Sequence, residues 1–482
     1  YIMNIKKTKI VVTIGPSSEN EDILTNLVKA GMNVCRLNFS HKTLDEAIAQ
    51  TNTIRTVAKK LGKSIAVMQD LSGPKIRIGD FYKERVMLKK GSIFTLTTKM
   101  CVGDENRAYV TYKELHHELK KGDSVLLDDG KKRLQVISIS GEEIKCRVIV
   151  GGETKGKRGV NLPGVPLKIS CLTAKDKKDL LFGLKYNVDF VALSFVRRAS
   201  DIRELRAILK RANSRAKIIS KIETAEAIEN IDAIIAETDA VMVARGDLAV
   251  EVPAEQVPIL QKMIVKKCNR AGKPVIVATQ MMESMIKSPV PTRAEVSDVA
   301  NSILDGADAV MLSEESTLGE FPVETVTMMA KIAAEVEKSY PHREVLYRDV
   351  LNYEEGENHK KGRDVIDVAT FGAVSTADAV GAVAIVALTD SGLTARMISR
   401  FRPRQEIIVM SPHHDVVQHL TLSFGCHPIY FEKVDNLNNA IKEVRAFVLK
   451  NRFAKRGDKV VISAGIPFGK TGGTNMLLIE VI

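Results

Sequence analysis

At 482 residues, 45% of them hydrophobic and 27% charged, the chain is too long for one ordinary core and should fold as two or three globular domains. No apolar run reaches the roughly 18–20 residues a membrane-spanning helix needs, and Lys6, Lys7 and Lys9 lead into a short apolar strand rather than a secretory leader, so no membrane partner and a cytoplasmic location are expected. The formal net charge is +12, but aromatic residues make up only 5% and Trp is absent, so base-stacking platforms are scarce and no nucleic-acid partner is expected.

Along the chain, short β-branched runs alternate with amphipathic stretches. The runs are 9–15, 32–39, 64–70, 189–195, 217–223, 240–247, 274–280 and 309–315. Each is nearly continuous in Val, Ile, Ala and Leu, as strands covered on both faces are. Helical patterns at 22–30, 44–61, 201–212, 225–236, 256–271 and 293–305 separate them, several ending at a glycine such as Gly31, Gly62, Gly272 or Gly306. Eight strand–helix units predict a (β/α)8 TIM barrel, in preference to an open doubly wound sheet.

The rhythm breaks once, between the third and fourth runs. Short alternating segments at 85–88, 92–97, 124–127, 133–138 and 143–150, punctuated by glycines, predict a small β-barrel inserted as a lid domain. Residues 74–168 hold 20 Lys/Arg against 12 Asp/Glu, so most of the net charge lies there. After the polar stretch 340–363, strands at 382–388, 406–410, 428–431 and 459–464 predict a C-terminal α/β domain. The expected division is 1–73 and 169–342 for the barrel, 74–168 for the lid and 343–482 for the last domain. The six cysteines show no C-x-x-C and no metal-ligand spacing, so reduced thiols are expected.

Reactive residues of such barrels gather at the carboxyl ends of the strands. Those ends carry Arg36, Asn38, Ser40 and His41; Asp70; Ser194, Arg197 and Arg198; Lys221 and Glu223; Arg245 and Asp247; Thr279 and Gln280; and Ser313, Glu314 and Glu315. So many polar groups at one rim call for mutual pairing, a ligand or a metal. Glu223 and Asp247 form a pair of hard oxygen ligands suited to Mg2+ or Mn2+. Lys221 shares a strand face with Glu223, where an ammonium suits a phosphoryl group or oxyanion. A purely structural Lys–Glu–Asp network is the alternative. Arg36, Arg77 and the Lys157–Arg158 pair are candidate phosphate ligands, although each alone reads as readily as a solvated surface charge.

Seven segments stand in order over essentially the whole chain: Thr8-Lys9-Ile10-Val11-Val12-Thr13-Ile14-Gly15-Pro16, Arg36-Leu37-Asn38-Phe39-Ser40-His41, Asp70-Leu71-Ser72-Gly73-Pro74-Lys75-Ile76-Arg77, Gly159-Val160-Asn161-Leu162-Pro163-Gly164, Ser220-Lys221-Ile222-Glu223, Ala244-Arg245-Gly246-Asp247 and Ala278-Thr279-Gln280-Met281-Met282-Glu283. Together they resemble pyruvate kinases. The resemblance implies phosphoryl transfer from phosphoenolpyruvate to ADP, giving ATP and pyruvate, in a homotetramer. It implies a divalent ion on Glu223 and Asp247, and Lys221 and Arg36 on the transferring group. Ser194, Gly246, Asp247 and Thr279 would sit on the substrate, with Thr279 taking part in enolate protonation. Asn38, Ser40, His41, Arg77 and Arg158 would face the nucleotide.

Pyruvate kinases that need K+ bind it at positions matching Asn38, Ser40, Asp70 and the backbone of Leu71, and usually carry Glu where this chain has Lys75. An ammonium there implies activity without added K+. The turn Thr389-Asp390-Ser391-Gly392-Leu393-Thr394 resembles the effector loop of allosteric members, so Thr389, Ser391, Gly392, Thr394 and Lys470 are expected to hold a phosphorylated effector. The competing readings are a Mg2+-dependent barrel aldolase or lyase, and a non-catalytic binding protein.

Overall fold

The computed structural model describes residues 6–40, 42–347, 364–432, 436–467 and 473–482. The chain opens with β1 (Lys9–Thr13), β2 (Val34–Asn38) and β3 (Ala66–Asp70). It then leaves for the insertion: β4 (Arg85–Leu88), β5 (Ile93–Thr97), β6 (Arg107–Tyr109), β7 (Ser124–Leu127), β8 (Lys132–Ser140), β9 (Glu143–Val150), β10 (Gly152–Lys155) and β11 (Val160–Asn161). It returns as β12 (Phe190–Leu193), β13 (Lys217–Ile222), β14 (Ala240–Ala244), β15 (Val275–Ala278) and β16 (Ala309–Leu312). The last domain carries β17 (Ala384–Leu388), β18 (Glu406–Ser411), β19 (Cys426–Tyr430), β20 (Lys459–Ala464) and β21 (Met476–Val481).

Eight of these strands close a parallel barrel in the order β1-β16-β15-β14-β13-β12-β3-β2. Inward side chains such as Val11, Met68, Ala192, Ile219, Met242, Ile276 and Met311 fill it, so the barrel is a packed core rather than a pore. Outward side chains meet the helices in a second, larger core. The helices begin where the sequence supplies caps. Thr43 with Glu46, Thr173 with Asp176 and Thr292 with Glu295 each form a reciprocal capping box. Gly62 ends the helix Leu44–Leu61 in a left-handed conformation that a Cβ would disfavour.

The expected small β-barrel insertion takes the form of a six-stranded sheet, β11-β7-β8-β9-β5-β6, with a two-stranded ribbon β10-β4. It has its own core around Phe94, Leu96, Leu134 and Val148. The C-terminal domain is a five-stranded sheet, β19-β18-β17-β20-β21, parallel except for β21. Two element boundaries differ from expectation. The helix expected over 225–236 breaks at Asn230, whose side-chain amide donates to the carbonyls of Arg197 (3.1 Å) and Glu226 (3.0 Å) and so competes with helical bonding. The strand expected over 240–247 stops at Ala244, and Arg245–Glu251 is a short helix.

The C-terminal domain docks on the amino ends of the barrel strands, opposite the mouth. Leu422 joins the apolar cluster inside the barrel, and Lys9 Nζ donates to the Cys426 carbonyl at 2.7 Å. The centre of the junction is Arg402, 1% exposed, whose guanidinium meets both oxygens of Asp308 at 2.9 Å. It also donates to Asn269 Oδ1 at 2.7 Å and lies over the Phe424 ring. Asp308 in turn accepts the backbone N–H groups of Phe424 (3.0 Å) and Val275 (3.1 Å). Removing one member of such a pair strands the other as a buried charge. Arg402→Met should therefore lower stability by on the order of 3–5 kcal/mol, and the Arg402→Met/Asp308→Asn double variant should lose less than the sum of the single variants; denaturant unfolding of all three measures both.

Candidate active site

The barrel's carboxyl rim brings one charged cluster together. Arg36, at the end of β2, donates from Nε to Asp70 Oδ2 at 2.7 Å and from Nη1 to Thr13 Oγ1 at 2.9 Å. Asp70 ends β3 and is 1% exposed. Lys221, next to last in β13, donates to Ser194 Oγ at 2.7 Å and stands 3.5 Å from Asp70 Oδ1. Ser194 donates to the Leu71 carbonyl at 2.7 Å. Parallel pairing of β2 with β3 and β12 with β13 sets this register, placing Asn38 beside Asp70 and Leu193 beside Ser220.

Glu223 follows β13 and is buried. Its Oε2 accepts the Phe195 N–H at 2.6 Å. Its Oε1 forms an ion pair with Lys221 Nζ at 2.9 Å and has no other polar partner among the described residues. Burial pushes the Glu223 carboxyl above the usual range, Lys221 opposes this, and the negative charge of Asp247 adds to it. Asp247 is therefore electrostatically close to Glu223, although it stands on the first turn of the Arg245–Glu251 helix rather than on a strand. Burial opposes the charge on Lys221, but Asp70 and Glu223 outweigh it and hold the ammonium protonated. Asp70 likewise overcomes its burial through Lys221 and Arg36, and stays below the ordinary carboxylate range.

A second contact closes the rim. Thr279 Oγ1 accepts the Gly246 N–H at 2.8 Å and donates to the Ala278 carbonyl at 2.6 Å. Thr279 and Gln280 have φ of +70° and +53°, a region costly for a β-branched residue, on the order of 1–3 kcal/mol. Phe195, which bonds Glu223, sits at φ +55°. Strained backbone thus flanks the cluster on two strands.

Other expected residues lie apart from it. The Asn38 side chain accepts the N–H of Ser40, which is exposed, and His41 lies outside the described residues. Arg77 donates to the Lys157 carbonyl at 3.0 Å, and Arg158 pairs with Asp128 at 3.4 Å, both on the lid side. Lys75 is exposed at the lid hinge, with no ion pair to Asp70 among the described residues. Arg197, Arg198 and Arg245 are structural. Arg197 holds the carbonyls of Leu167 and Ile169, Arg198 pairs with Glu226 at 3.0 Å, and Arg245 grips Asp298 at 2.6 and 2.7 Å. That grip, with a further bond to the Thr279 carbonyl, explains the early end of β14. Glu315 is buried and accepts backbone N–H groups from Met282 (3.1 Å) and Ser313 (2.7 Å).

In the C-terminal domain, Thr389 Oγ1 accepts the Gly392 N–H (3.0 Å), Ser391 Oγ accepts the Leu393 N–H (3.4 Å), and Thr394 bonds Thr474 (2.6 Å). Lys470 lies outside the described residues. Two contributors were missed at the sequence level. Thr13 ends the first strand and was visible there as a polar strand end. The Phe195 N–H is a backbone group that no side-chain pattern reveals.

Among the described residues no three His, Cys, Asp or Glu cluster as a complete metal cage. Two electrostatically coupled carboxylates, one with a buried oxygen that meets only an ammonium, fit a hard divalent cation whose remaining ligands would be substrate oxygens and water. A guanidinium and an ammonium beside them make this the rim of a barrel phosphotransferase.

A family model described as the pyruvate kinase barrel domain matches residues 5–326, and one described as the pyruvate kinase alpha/beta domain matches residues 367–480. The chain is 42% identical to a pyruvate kinase of Clostridium acetobutylicum, across 99% of this chain and 100% of that one. It is 43% identical to a pyruvate kinase of Clostridium perfringens, with the same coverage. The crystal structure of a pyruvate kinase from Cryptosporidium parvum superposes with a TM-score of 0.93 at 35% identity, covering 100% of this chain and 97% of that one. The chain belongs to the pyruvate kinase family, and its reaction is phosphoryl transfer from phosphoenolpyruvate to ADP, giving ATP and pyruvate.

Because Asp70 is held below the usual carboxylate range, the stability it confers is fully present above the unfolded value of about 3.9 and is lost only as pH falls through its lower folded value. Unfolding midpoints of wild type and Asp70→Asn should therefore differ by a constant amount from pH 8 down to pH 5, and converge only in stronger acid.

Proposed function

We propose that the rim cluster divides the transfer among its residues as follows. Lys221 and Arg36 neutralise the phosphoryl group as it moves, since both carry fixed positive charge that needs no reorganisation. Glu223 and Asp247 hold Mg2+ or Mn2+. When bound, the ion supplies positive charge against the carboxylate and enol oxygens of the substrate. Ser194, Gly246, Asp247 and Thr279 orient the substrate. The Thr279 hydroxyl, a poor acid alone, takes part in protonating the enolate by way of a water, which gives the proton to the enolate carbon and regains one from solvent. Asn38, Ser40, His41, Arg77 and Arg158 serve the nucleotide, and the inserted domain, residues 74–168, closes over it to exclude water.

The observation that carries this reading is the buried Glu223 oxygen whose one partner among the described residues is the Lys221 ammonium, with the charge of Asp247 close by. Glu223→Gln should weaken Mn2+ binding, measured by paramagnetic resonance, by at least about 10- to 100-fold, the cost of losing even an outer partner of a metal site. Unchanged binding would remove Glu223 from the site.

The same reading extends to regulation. Lys75 stands exposed at the hinge, without an ion pair among the described residues, so its charge is available to the closed site. Turnover should need no added K+, and a rate assay in tetramethylammonium buffer tests this; strong activation by K+ would overturn it. The turn at Thr389, Ser391, Gly392 and Thr394, with Lys470, holds a phosphorylated effector in a homotetramer. Cysteines that are all free accord with a reducing, cytoplasmic setting.

A further inference from the structure

A small cavity of about 10 Å³ lies at the junction of the barrel and the C-terminal domain, beside the Arg402–Asp308 pair. Its wall carries four cationic side chains, Lys273, Arg396, Arg400 and Arg402, and one anionic, Asp308; Ser423 also lines it. Lys273 comes from the barrel, between the helix Val257–Arg270 and β15. Arg396 comes from the helix Leu393–Ser399 of the C-terminal domain. Gly272, next to Lys273, has φ +61°, and a Cβ there would lie 2.5 Å from Met397 Sδ. The two domains therefore meet here as closely as a glycine allows, which keeps the cavity small.

The positive charges are unequally answered. Arg402 has Asp308, and Arg400 pairs with Asp367 at 2.9 Å. Lys273 Nζ donates to the Thr238 carbonyl at 2.6 Å, and Arg396 Nη1 to the Ser391 carbonyl at a long 3.5 Å. Neither has an ion pair among the described residues. Asp239 acts on both from a distance, but it is itself paired with Arg206 at 3.0 Å. Arg206, Lys217 and Arg396 all add positive charge at Lys273. The barrel and the C-terminal domain thus face each other across the cavity with like charge. The buried polar groups point to the same kind of occupant. Ser423 is 1% exposed, and neither its hydroxyl nor Arg402 Nε has a hydrogen-bond partner among the described residues. Both can donate. The Asp308 carboxylate is already full: its oxygens accept four N–H groups, two from Arg402 and one each from Phe424 and Val275. Unmet donors and unpaired cations favour an occupant that only accepts, over a water that must also donate. The volume holds about one water-sized sphere, so phosphate, sulfate and organic anions are too large.

We infer that this junction cavity is a binding site for a single monatomic anion, chloride in ordinary buffers, held between Lys273 of the barrel and Arg396 of the C-terminal domain, with the Ser423 hydroxyl donating to it. The ion supplies the countercharge that the protein lacks there and relieves the repulsion between the two domains. It binds the docked arrangement and has no site once the domains part, so it stabilises the docking by mass action.

The test uses the full chain and chloride itself. Long-wavelength diffraction from crystals grown in sodium chloride, where chlorine scatters anomalously and oxygen does not, should show one chloride in the cavity. In solution the thermal midpoint should rise saturably with sodium chloride, relative to sodium gluconate at the same ionic strength. The Lys273→Met/Arg396→Met double variant should bind chloride at least about tenfold more weakly by this titration, whereas Arg396→Lys, which keeps the charge, should retain the response. A water or no density at the site, a midpoint that follows ionic strength alone, or an unchanged chloride response in the double variant would overturn the site. Should the double variant fail to fold, the anomalous signal in wild-type crystals decides alone: its presence supports the site and its absence overturns it.

Discussion

Asp70 lets two cations sit at the end of a barrel whose strands are otherwise apolar. Arg36 and Lys221 both enter a nearly water-free rim, where an unpaired charge costs several kcal/mol. One carboxylate spans them, at 2.7 Å from the guanidinium and 3.5 Å from the ammonium. Glu223 supplies the fourth charge, so the cluster of two cations and two anions is balanced before any ligand arrives. Asp247 then adds one negative charge, which the divalent ion proposed for this site would more than offset. On the proposed reading the cations would thus be held in place for an incoming phosphoryl group, without having to be gathered from solvent when it comes.

The fold serves this balance in layers. Parallel strands share one register, so their carboxyl ends meet at one rim, and the residues just past them form a ring. The strained turns at Phe195 and at Thr279–Gln280 aim a backbone N–H and a hydroxyl that regular strand geometry would point elsewhere. At the other end of the barrel, the Arg402–Asp308 pair and Leu422 anchor the C-terminal domain to the amino ends of the same strands.

Much of this was legible in the sequence, for a physical reason. Strands buried on both faces are written as continuous apolar runs, so all eight barrel strands stand out, and the polar residues that end seven of the runs mark the rim. Lys221, Glu223, Asp70 and Arg36 followed from that punctuation. What the sequence hid depends on contacts between distant segments. Asp247 was assigned to a strand, but Arg245 is drawn to Asp298 and the β15 carbonyls, which turns the chain into a helix one residue after Ala244. The helix break at Asn230 depends on a carbonyl 33 residues away. The edge strand β21 alternates half-buried with exposed residues, a weaker signal than the buried parallel strands give. The bond from Phe195 N–H to Glu223 has no side-chain signature at all.

The central claim is that the Lys221 ammonium acts on the transferring phosphoryl group and is more than a member of a structural ion network. The most direct measurement is turnover of phosphoenolpyruvate and ADP by Lys221→Ala, with its fold checked by circular dichroism and its divalent-ion affinity measured alongside. Loss of a preorganised charge of this kind should lower kcat by on the order of 10²–10³, with the fold and metal binding retained. A folded, metal-binding variant that turns over within about twofold of the wild-type rate would contradict the account.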